Sequence, residues 1–178
     1  MNFNLAQFKQ ELEKRKQYID NCLQKHLTRL DAYPPVIHEA MHYAIFNGGK
    51  RLRPIMVLEG AKLVGGSQEN AVPVACALEM IHSYSLVHDD LPAMDDDDLR
   101  RGKPTCHIVF GEANAILTGD ALLTGAFVVM TESAGMPGVK PDNLIRVIRE
   151  IAEAAGSQGM IGGQVIDLQS EGQDIDYD

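Results

Sequence analysis

The apolar residues of this chain recur at helical spacing along almost its whole length. Near the N-terminus they form one stripe at intervals of three, four or seven residues, with charged residues on the opposite face: Leu5, Phe8, Leu12, Ile19, Leu23, Leu27 and Leu30. Such spacing is typical of an amphipathic helix, and no segment shows the convincing period-two alternation of a β-strand. The sequence therefore predicts an all-α fold, a multi-helix bundle.

Glycines and prolines divide the chain into separate helices. The first, which Asn4 is placed to cap, is expected to end at Tyr33-Pro34-Pro35, because proline cannot continue a helix interior. Further helices are predicted over residues 36–46, from about 54 to the glycines at 65 and 66, and over 71–90, 114–132 and 142–155, with a last one from about 157. The segments 71–90 and 114–132 are apolar nearly all round, so both are expected to be buried.

Composition excludes several classes of protein. The 178 residues include 16 Lys and Arg against 25 Asp and Glu, and a net charge of −9 argues against a general binder of nucleic acid or anionic membranes. The longest uninterrupted apolar run, residues 126–130, is far shorter than the roughly 20 residues of a membrane span. The N-terminal residues lack the apolar core of a secretion signal, and three scattered cysteines indicate reduced thiols. We expect a cytoplasmic protein without a membrane span or a nucleic-acid partner.

No linker or repeat divides residues 1–178, so we expect a single α-helical domain. Two strongly apolar central helices normally need more packing partners than this sequence supplies, and the chain ends in the acidic segment SEGQDIDYD. We therefore expect a bundle truncated at its C-terminus, with its C-terminal helices missing.

Six aspartates lie within ten positions where the apolar segment 71–90 ends: Asp89, Asp90, Asp95, Asp96, Asp97 and Asp98. An acidic run is more often a solvated face or a calcium-like loop, but this spacing matches no EF-hand. Carboxylates at the end of a buried helix repel one another and are stable mainly when cations neutralise them. Hard oxygen ligands of this kind suit Mg²⁺ that is also held by a diphosphate.

Helix geometry relates these acids to residues earlier in the segment. His82, Ser85 and Asp89 share one helix face, because they are spaced at i, i+3 and i+7. On a continuous helix Asp95 would point elsewhere, since six residues rotate by about 600° at about 100° per residue. A break at Pro92 would let Asp95 return towards Asp89.

Two cationic clusters accompany the acids. Lys50, Arg51 and Arg53 follow two permissive glycines and make a plausible anion cradle, although a basic helix start on the surface would look the same. Arg100 and Arg101 add two forked donors directly after the acidic run. One carboxylate cluster for metals and two cationic clusters for phosphates suggest an enzyme that handles two polyphosphate groups.

Four segments in this order resemble landmarks of the trans-isoprenyl diphosphate synthases, the polyprenyl synthetase family, and most closely those of bacterial farnesyl diphosphate synthases. They are GGKRLRP, EMIHSYSLVHDDLPAMDDDDLRRGKPTCH, GEANAILTGDALL and GMIGGQVIDL, which extend from Gly48 to Leu168. The resemblance implies an α-helical bundle of the isoprenoid synthase type and a homodimer formed through the apolar 115–130 helix. It also implies a second aspartate-rich motif in a C-terminal half, and nothing in this sequence matches that motif.

The resemblance implies a role for each matching residue. Asp89, Asp90 and Asp95 correspond to the first aspartate-rich motif, which binds Mg²⁺, with Mn²⁺ as a possible substitute, and with Arg100 they form the expected catalytic set. Arg100 is expected on the allylic diphosphate. The remaining substrate-binding residues are Lys50, Arg53, His82 and Arg101, expected on isopentenyl diphosphate, and Gln164, expected to face the pocket.

Chain length of the product is expected to depend on Tyr84 and Ser85, just below Asp89. The resemblance implies that an aromatic residue at Tyr84 acts as a floor and favours a fifteen-carbon product, whereas a Tyr84 that merely packs in the core would leave the length open. The expected reaction condenses dimethylallyl or geranyl diphosphate with isopentenyl diphosphate to give farnesyl diphosphate, by ionisation, condensation and proton loss. The alternatives are a geranylgeranyl diphosphate synthase and a non-catalytic, truncated or dimerising subunit that only binds diphosphate.

Overall fold

The structure is a computed structural model and describes residues 4–27 and 29–172. Its elements are α1 (Leu5–His26), α2 (Pro35–Phe46), α3 (Leu52–Leu63), α4 (Gln68–Asp89), β1 (Leu99–Arg100), β2 (Lys103–Pro104), α5 (Cys106–Phe110), α6 (Glu112–Thr131), a 3₁₀ turn (Glu132–Gly135), α7 (Pro141–Ala155) and α8 (Met160–Ser170). The prediction of an all-α fold is confirmed. The elements fall into two compact units divided between Pro137 and Gly138, and the single domain stays a prediction.

Each helix that the apolar spacing predicts is present, with ends displaced by a few residues. Helix α1 begins after Asn4, whose side chain accepts hydrogen bonds from the N–H groups of Ala6 (3.1 Å) and Gln7 (3.2 Å), as predicted. It ends at His26, earlier than expected, because Leu27 is buried in an extended conformation. The sequence did not predict the hairpin β1–β2 or helix α5, which are too short to show a period.

Helix α4 is the packing centre of the first unit and contacts α1, α2, α3 and α6. It begins after Ser67, whose hydroxyl accepts a hydrogen bond from the N–H of Asn70 at 3.3 Å. Its buried apolar side chains lie all around the helix, as predicted: Val72, Pro73, Ala75, Cys76, Ala77, Met80, Ile81, Tyr84 and Val87. Full burial of a large aliphatic side chain contributes about 1.5–3 kcal/mol, so α4 supplies much of the core of this unit.

Helices α4 and α6 approach each other closely at one glycine. His88 of α4 lies against Gly119 of α6, and its Nε2–H donates to the carbonyl of Ile116 at 2.9 Å. A Cβ atom at position 119 would overlap the His88 ring. The glycine is therefore what lets this histidine fit between the two helices.

Helix α6 bears on the prediction of no membrane span. By length and composition, Glu112–Gly135 is the one stretch among the described residues that could cross a membrane, with a mean hydropathy of 1.5. This stretch does not stand out as an uninterrupted apolar run, because polar residues such as Asp120 interrupt it. Leu122, Ala126 and Met130 are buried in the core, and a core helix of a water-soluble protein has the same composition. The absence of a span stays a prediction.

The three cysteines, Cys22, Cys76 and Cys106, are buried and free. Burial raises the pKa of the Cys106 thiol to about 11 and raises the pKa of Cys76 as well. Buried, protonated thiols are poor nucleophiles, so none of these observations gives a cysteine a chemical role.

The second unit contains α7 and α8. Helix α7 has Pro141 at its first position, where a missing N–H is harmless, and buries Leu144 and Ala155. On its exposed face Arg149 Nε donates to Glu153 Oε1 at 2.7 Å, one turn further on. Helix α8 carries Gln164, which is half-buried.

Gly119→Ala is expected to destabilise the protein by about 1–3 kcal/mol, because the added methyl group must displace His88 from its place between α4 and α6. The measurement is urea unfolding followed by circular dichroism. Gly60→Ala is the matched control, since a Cβ at that helical position meets nothing within 4 Å and should stabilise the protein by about 0.5–1 kcal/mol. Equal effects of the two substitutions would contradict the close contact.

Candidate functional site

An open cavity of about 440 Å³ lies where the turn between α2 and α3, helix α4 and the hairpin β1–β2 meet. Its lining includes Lys50, Arg53, His82 and Arg101. These are the four residues that the family resemblance assigned to isopentenyl diphosphate, and the fold brings them together from the turn before α3, from α3, from α4 and from the hairpin. Their roles as ligands stay a prediction, but their placement in one cavity is an observation.

Arg101 reaches this cavity because of the backbone of the hairpin. Arg101 and Gly102 both have positive φ angles, of 57° and 76°, as the two central residues of a tight hairpin turn require. The Arg101 side chain then lies over Gly48 and Gly49, where a Cβ on Gly49 would stand 2.6 Å from Arg101 Nη1. The two glycines were predicted to shape an anion cradle, and the structure shows that they also make room for this guanidinium group.

Tyr43 of α2 holds the hairpin in place. Its hydroxyl donates to the carbonyl of Pro104 at 2.7 Å, and its ring packs edge-on against Phe110, with 5.5 Å between centroids. Sequence reasoning missed this contact, because Tyr43 and Pro104 are far apart in the chain and neither belongs to a charged cluster.

His82 is an uncharged member of the cavity. Burial, and to a lesser extent the neighbouring guanidinium groups of Arg53, Arg101, Arg51 and Arg100, together lower its pKa to about 4 from an ordinary value of 6.5. At pH 7 the ring is therefore neutral, and the positive charge of the cavity comes from Lys50, Arg53 and Arg101. Such a cavity favours a polyanion over a cation or an apolar ligand.

The prediction that Arg51 belongs to the anion cradle is wrong. Arg51 was grouped with Lys50 and Arg53 in the anion cradle, but only 3% of its surface is exposed. Its guanidinium group donates to Asp20 Oδ1 (2.7 Å), Glu79 Oε1 (2.8 Å) and two backbone carbonyls. Since its donors are occupied within the protein, Arg51 supports the cavity from beneath and is not one of its free cations.

The acidic segment folds back over the end of α4. The helix ends at Asp89, and the N–H of Asp95 donates to the carbonyl of Asp89 at 2.9 Å. The N–H of Asp97 likewise donates to the carbonyl of Asp90 at 3.2 Å. The predicted helix break near Pro92 is confirmed, and it returns the backbone of Asp95 to that of Asp89.

Arg100 neutralises part of the acidic cluster. Its Nε donates to the Asp90 carboxylate, and its Nη2 lies 3.4 Å from Asp97 Oδ2 and 3.9 Å from Asp89 Oδ2. Burial raises the pKa of Asp90; Arg100 opposes this shift, whereas Asp97 and Asp89 add to it. Asp89 and Asp90 thus face one common cation, together with Asp97, which the sequence did not single out from the acidic run.

The chemistry of this donor set fits a magnesium ion. The donors are carboxylate oxygens, the ligands that Mg²⁺ prefers, and Arg100 shows that three of them turn towards the same positive charge. Over residues 4–27 and 29–172, however, no three Asp, Glu, His or Cys side chains are already grouped as a set of metal ligands. The Asp95 side chain is exposed. A metal site formed by Asp89, Asp90 and Asp95 stays a prediction.

The residues expected to control chain length lie on α4 between the cavity and the acids. Tyr84 is buried, with its ring edge-on to His88 at 5.7 Å between centroids. Ser85 donates to the carbonyl of His82 at 2.9 Å, within the same helix. Gln164 belongs to α8 of the second unit, so it lies in a different unit from the cavity.

Comparison with known proteins gives a consistent result. The family model described as polyprenyl synthetase matches residues 34–178. Over 164 residues the chain is 48% identical to a farnesyl diphosphate synthase of Bacillus subtilis, covering 92% of this chain and 55% of that protein. It is 52% identical over 142 residues to the large subunit 1 of a heterodimeric geranylgeranyl pyrophosphate synthase from chloroplasts of Arabidopsis thaliana, covering 80% of this chain and 38% of that protein.

A solved structure shows the same fold. The crystal structure of a geranyltransferase from Legionella pneumophila superposes with a TM-score of 0.90 at 40% identity, covering 98% of this chain and 61% of that one. The predicted bundle type is therefore confirmed. The chain spans about half the length of the relatives it matches, or less.

The pKa of His82 should be measured by NMR of its ring between pH 3.5 and 8, and we expect the ring to take up its proton only near pH 4. Between pH 4 and pH 6.5 the unfolded chain binds a proton at His82 that the folded protein does not bind. The contribution of His82 to stability is thus complete above pH 6.5 and is lost as the pH falls towards 4.

Arg53→Ala should raise the pKa of His82, because it removes the charge that lowers this pKa most after burial. Arg149→Ala, which removes a guanidinium in the second unit, is the matched control and should leave it unchanged. A wild-type pKa near 6.5 would contradict the burial and charge environment described above.

Proposed function

The chain belongs to the polyprenyl synthetase family, and on this premise we propose that it acts as a trans-prenyltransferase. The observation that carries the proposal is the pairing of a cationic cavity with a carboxylate cluster along one helix. His82 and Asp89, seven residues apart on α4, are separated by about 10 Å along its axis at about 1.5 Å per residue. This spacing suits two diphosphate substrates held side by side.

The cationic cavity is the proposed site of isopentenyl diphosphate. Lys50, Arg53 and Arg101 would bind the diphosphate oxygens by charge-assisted hydrogen bonds, which are about twice as strong as neutral ones. His82 is neutral there, so one ring nitrogen can donate to a phosphate oxygen without adding charge. Together they would orient the five-carbon substrate so that its double bond faces the neighbouring allylic carbon.

The acidic end of α4 is the proposed site of the allylic diphosphate. Asp89, Asp90 and Asp95 would hold Mg²⁺, or Mn²⁺ in its place, with Arg100 contacting the same diphosphate. Bound there, the metal would supply positive charge to stabilise the diphosphate leaving group of the allylic substrate. Asp90 must be ionised to bind it, and Arg100 favours that state. The apolar side chains of α4 would keep water from the carbocation.

For the product we propose farnesyl diphosphate, made from dimethylallyl or geranyl diphosphate. Similarity to a farnesyl diphosphate synthase supports this, and similarity to a subunit of a geranylgeranyl pyrophosphate synthase supports the longer product as the alternative. Tyr84 is buried and precedes Asp89 by about 7.5 Å along the helix axis, a position that favours the shorter product.

The second candidate function is a subunit that binds diphosphate and dimerises without turnover. Helix α6 supports it with Ile116, Leu117 and Val128, which remain exposed on its surface. We propose that a second copy of the chain covers these side chains, in a homodimer located in the cytoplasm. Both candidates use the same cationic cavity, and only turnover separates them.

The first test is a transfer assay with Mg²⁺, geranyl diphosphate and labelled isopentenyl diphosphate, with chromatography of the products. Arg53→Ala should raise the KM for isopentenyl diphosphate roughly tenfold to a hundredfold, since one charged hydrogen bond contributes about 1.5–3 kcal/mol. Lys62→Ala, an exposed cation near the other end of α3, is the control and should leave KM unchanged.

Three outcomes of this assay are informative. A farnesyl product with the expected KM change supports the proposed reaction. Binding of isopentenyl diphosphate without product supports the non-catalytic candidate. A KM that responds equally to Arg53→Ala and Lys62→Ala would show that the cavity is not the site.

Tyr84→Ala is expected to shift the main product from fifteen to twenty carbons or more, because it removes the proposed floor of the pocket. Product lengths are compared by chromatography after incubation with excess isopentenyl diphosphate. Tyr33→Ala is the matched control, since Tyr33 is 93% exposed and should leave the product unchanged. An unchanged product length in Tyr84→Ala would remove Tyr84 from this role.

A further inference from the structure

The buried guanidinium group of Arg51 connects the turn between α2 and α3 to the rest of the first unit. It donates to Asp20 on α1 and to Glu79 on α4, at 2.7 and 2.8 Å. It also donates to the carbonyl of Ile45 in the last turn of α2 (2.7 Å) and to that of Gly48 (3.0 Å). One side chain thereby fixes the end of α2 and the start of α3 against two other helices.

The backbone of this turn would not hold its shape unaided. Arg51 has a φ angle of 54°, in the left-handed region that costs a residue with a Cβ roughly 1–2 kcal/mol. Gly48 and Gly49 precede it with φ angles of 113° and 114°. A conformation of this kind persists only where the surroundings determine it, and here the hydrogen bonds of the Arg51 side chain do so.

The same turn supports the cationic residues of the cavity. Lys50 immediately precedes Arg51, and Arg53 follows it on the first turn of α3. From the other side, the guanidinium group of Arg101 rests on Gly49. A Cβ at Gly49 would stand 3.1 Å from Arg51 Nη1 and 2.6 Å from Arg101 Nη1, so the two groups flank one glycine.

We propose that Arg51, with Asp20 and Glu79, is a positioning residue for diphosphate binding: it holds the turn that places Lys50 and Arg53 and supports Arg101. The inference rests on the proposed function, since it concerns the same cationic cavity. It adds that affinity for the diphosphate depends on a buried ion pair reaching α1, outside the cavity. Arg51 itself makes no bond to the ligand.

The test measures the affinity of the full chain for inorganic pyrophosphate by titration calorimetry in EDTA. Without metal the acidic cluster repels the anion, so binding reports on the cationic cavity. Arg51→Lys keeps the charge, but a single ammonium group cannot reproduce a planar fork of donors to several acceptors. We expect the Kd to rise about tenfold or more, because small displacements of binding groups have effects of that size.

A second variant covers the case in which Arg51→Lys does not fold. Asp20→Asn removes one charged partner of Arg51 and leaves the other three hydrogen bonds, so a smaller rise in Kd is expected. Arg15→Lys is the matched control. Arg15 also pairs with two carboxylates, Glu11 and Glu59, but it borders a different cavity, so its substitution should leave the Kd unchanged.

A double substitution distinguishes positioning from a general loss of stability. If Arg51 acts partly through Arg101, the factor by which Arg51→Lys raises the Kd for pyrophosphate should be smaller when Arg101→Ala is already present. Equal factors in the two backgrounds would contradict the link through Gly49. Thermal unfolding of every variant fixes a temperature at which all are folded.

Two negative results have different meanings. Unchanged affinity in the folded variants, with pyrophosphate bound by the wild type, would overturn the role of Arg51 and leave the proposed function intact. No pyrophosphate binding by the wild type would overturn both.

Discussion

Helix α4 is buried along most of its length, and the elements that carry the cavity and the acidic cluster are placed around it. It packs on α1, α2, α3 and α6, and its apolar surface accounts for that packing. The helix ends at Asp89, where helix carbonyls and carboxylates both concentrate negative charge. The loop that follows compensates this negative charge, because the N–H groups of Asp95 and Asp97 donate to carbonyls at the helix end and Arg100 binds the carboxylates.

The sequence predicted the helices well because the helical spacing of apolar residues recurs over many positions along the chain. The displaced ends have local causes that a period cannot show. Leu27 continues the apolar stripe of α1 and is buried, yet its backbone is already extended, so the stripe runs past the helix. The hairpin β1–β2 was missed because its turn uses Arg101, a residue with a Cβ, at a positive φ angle where glycine is expected.

The site was predictable to the extent that its residues share one helix. His82 and Asp89 lie on α4, and the break near Pro92 follows from proline chemistry. Arg51 was misplaced because its acidic partners, Asp20 and Glu79, are remote in sequence, and only packing shows that its side chain turns inward. The pairing of Arg100 with Asp97, as well as with Asp89 and Asp90, also depends on how the loop folds back.

The adjacent residues Arg100 and Arg101 lie in opposite charge environments, and the backbone conformation at this point determines which environment each side chain enters. Arg100 belongs to a strand and faces the carboxylates, whereas the positive φ angle of Arg101 turns its side chain over Gly49 into the cationic cavity. Arg101 lies beside Lys50 and Arg53, so like charges repel one another in the cavity. Burial lowers the pKa of His82 there, and the charges of Arg53 and Arg101 add to this shift. A bound polyanion relieves that repulsion. The proposed selectivity for diphosphate thus follows from an unfavourable arrangement of cations, which the buried ion pairs of Arg51 keep from relaxing.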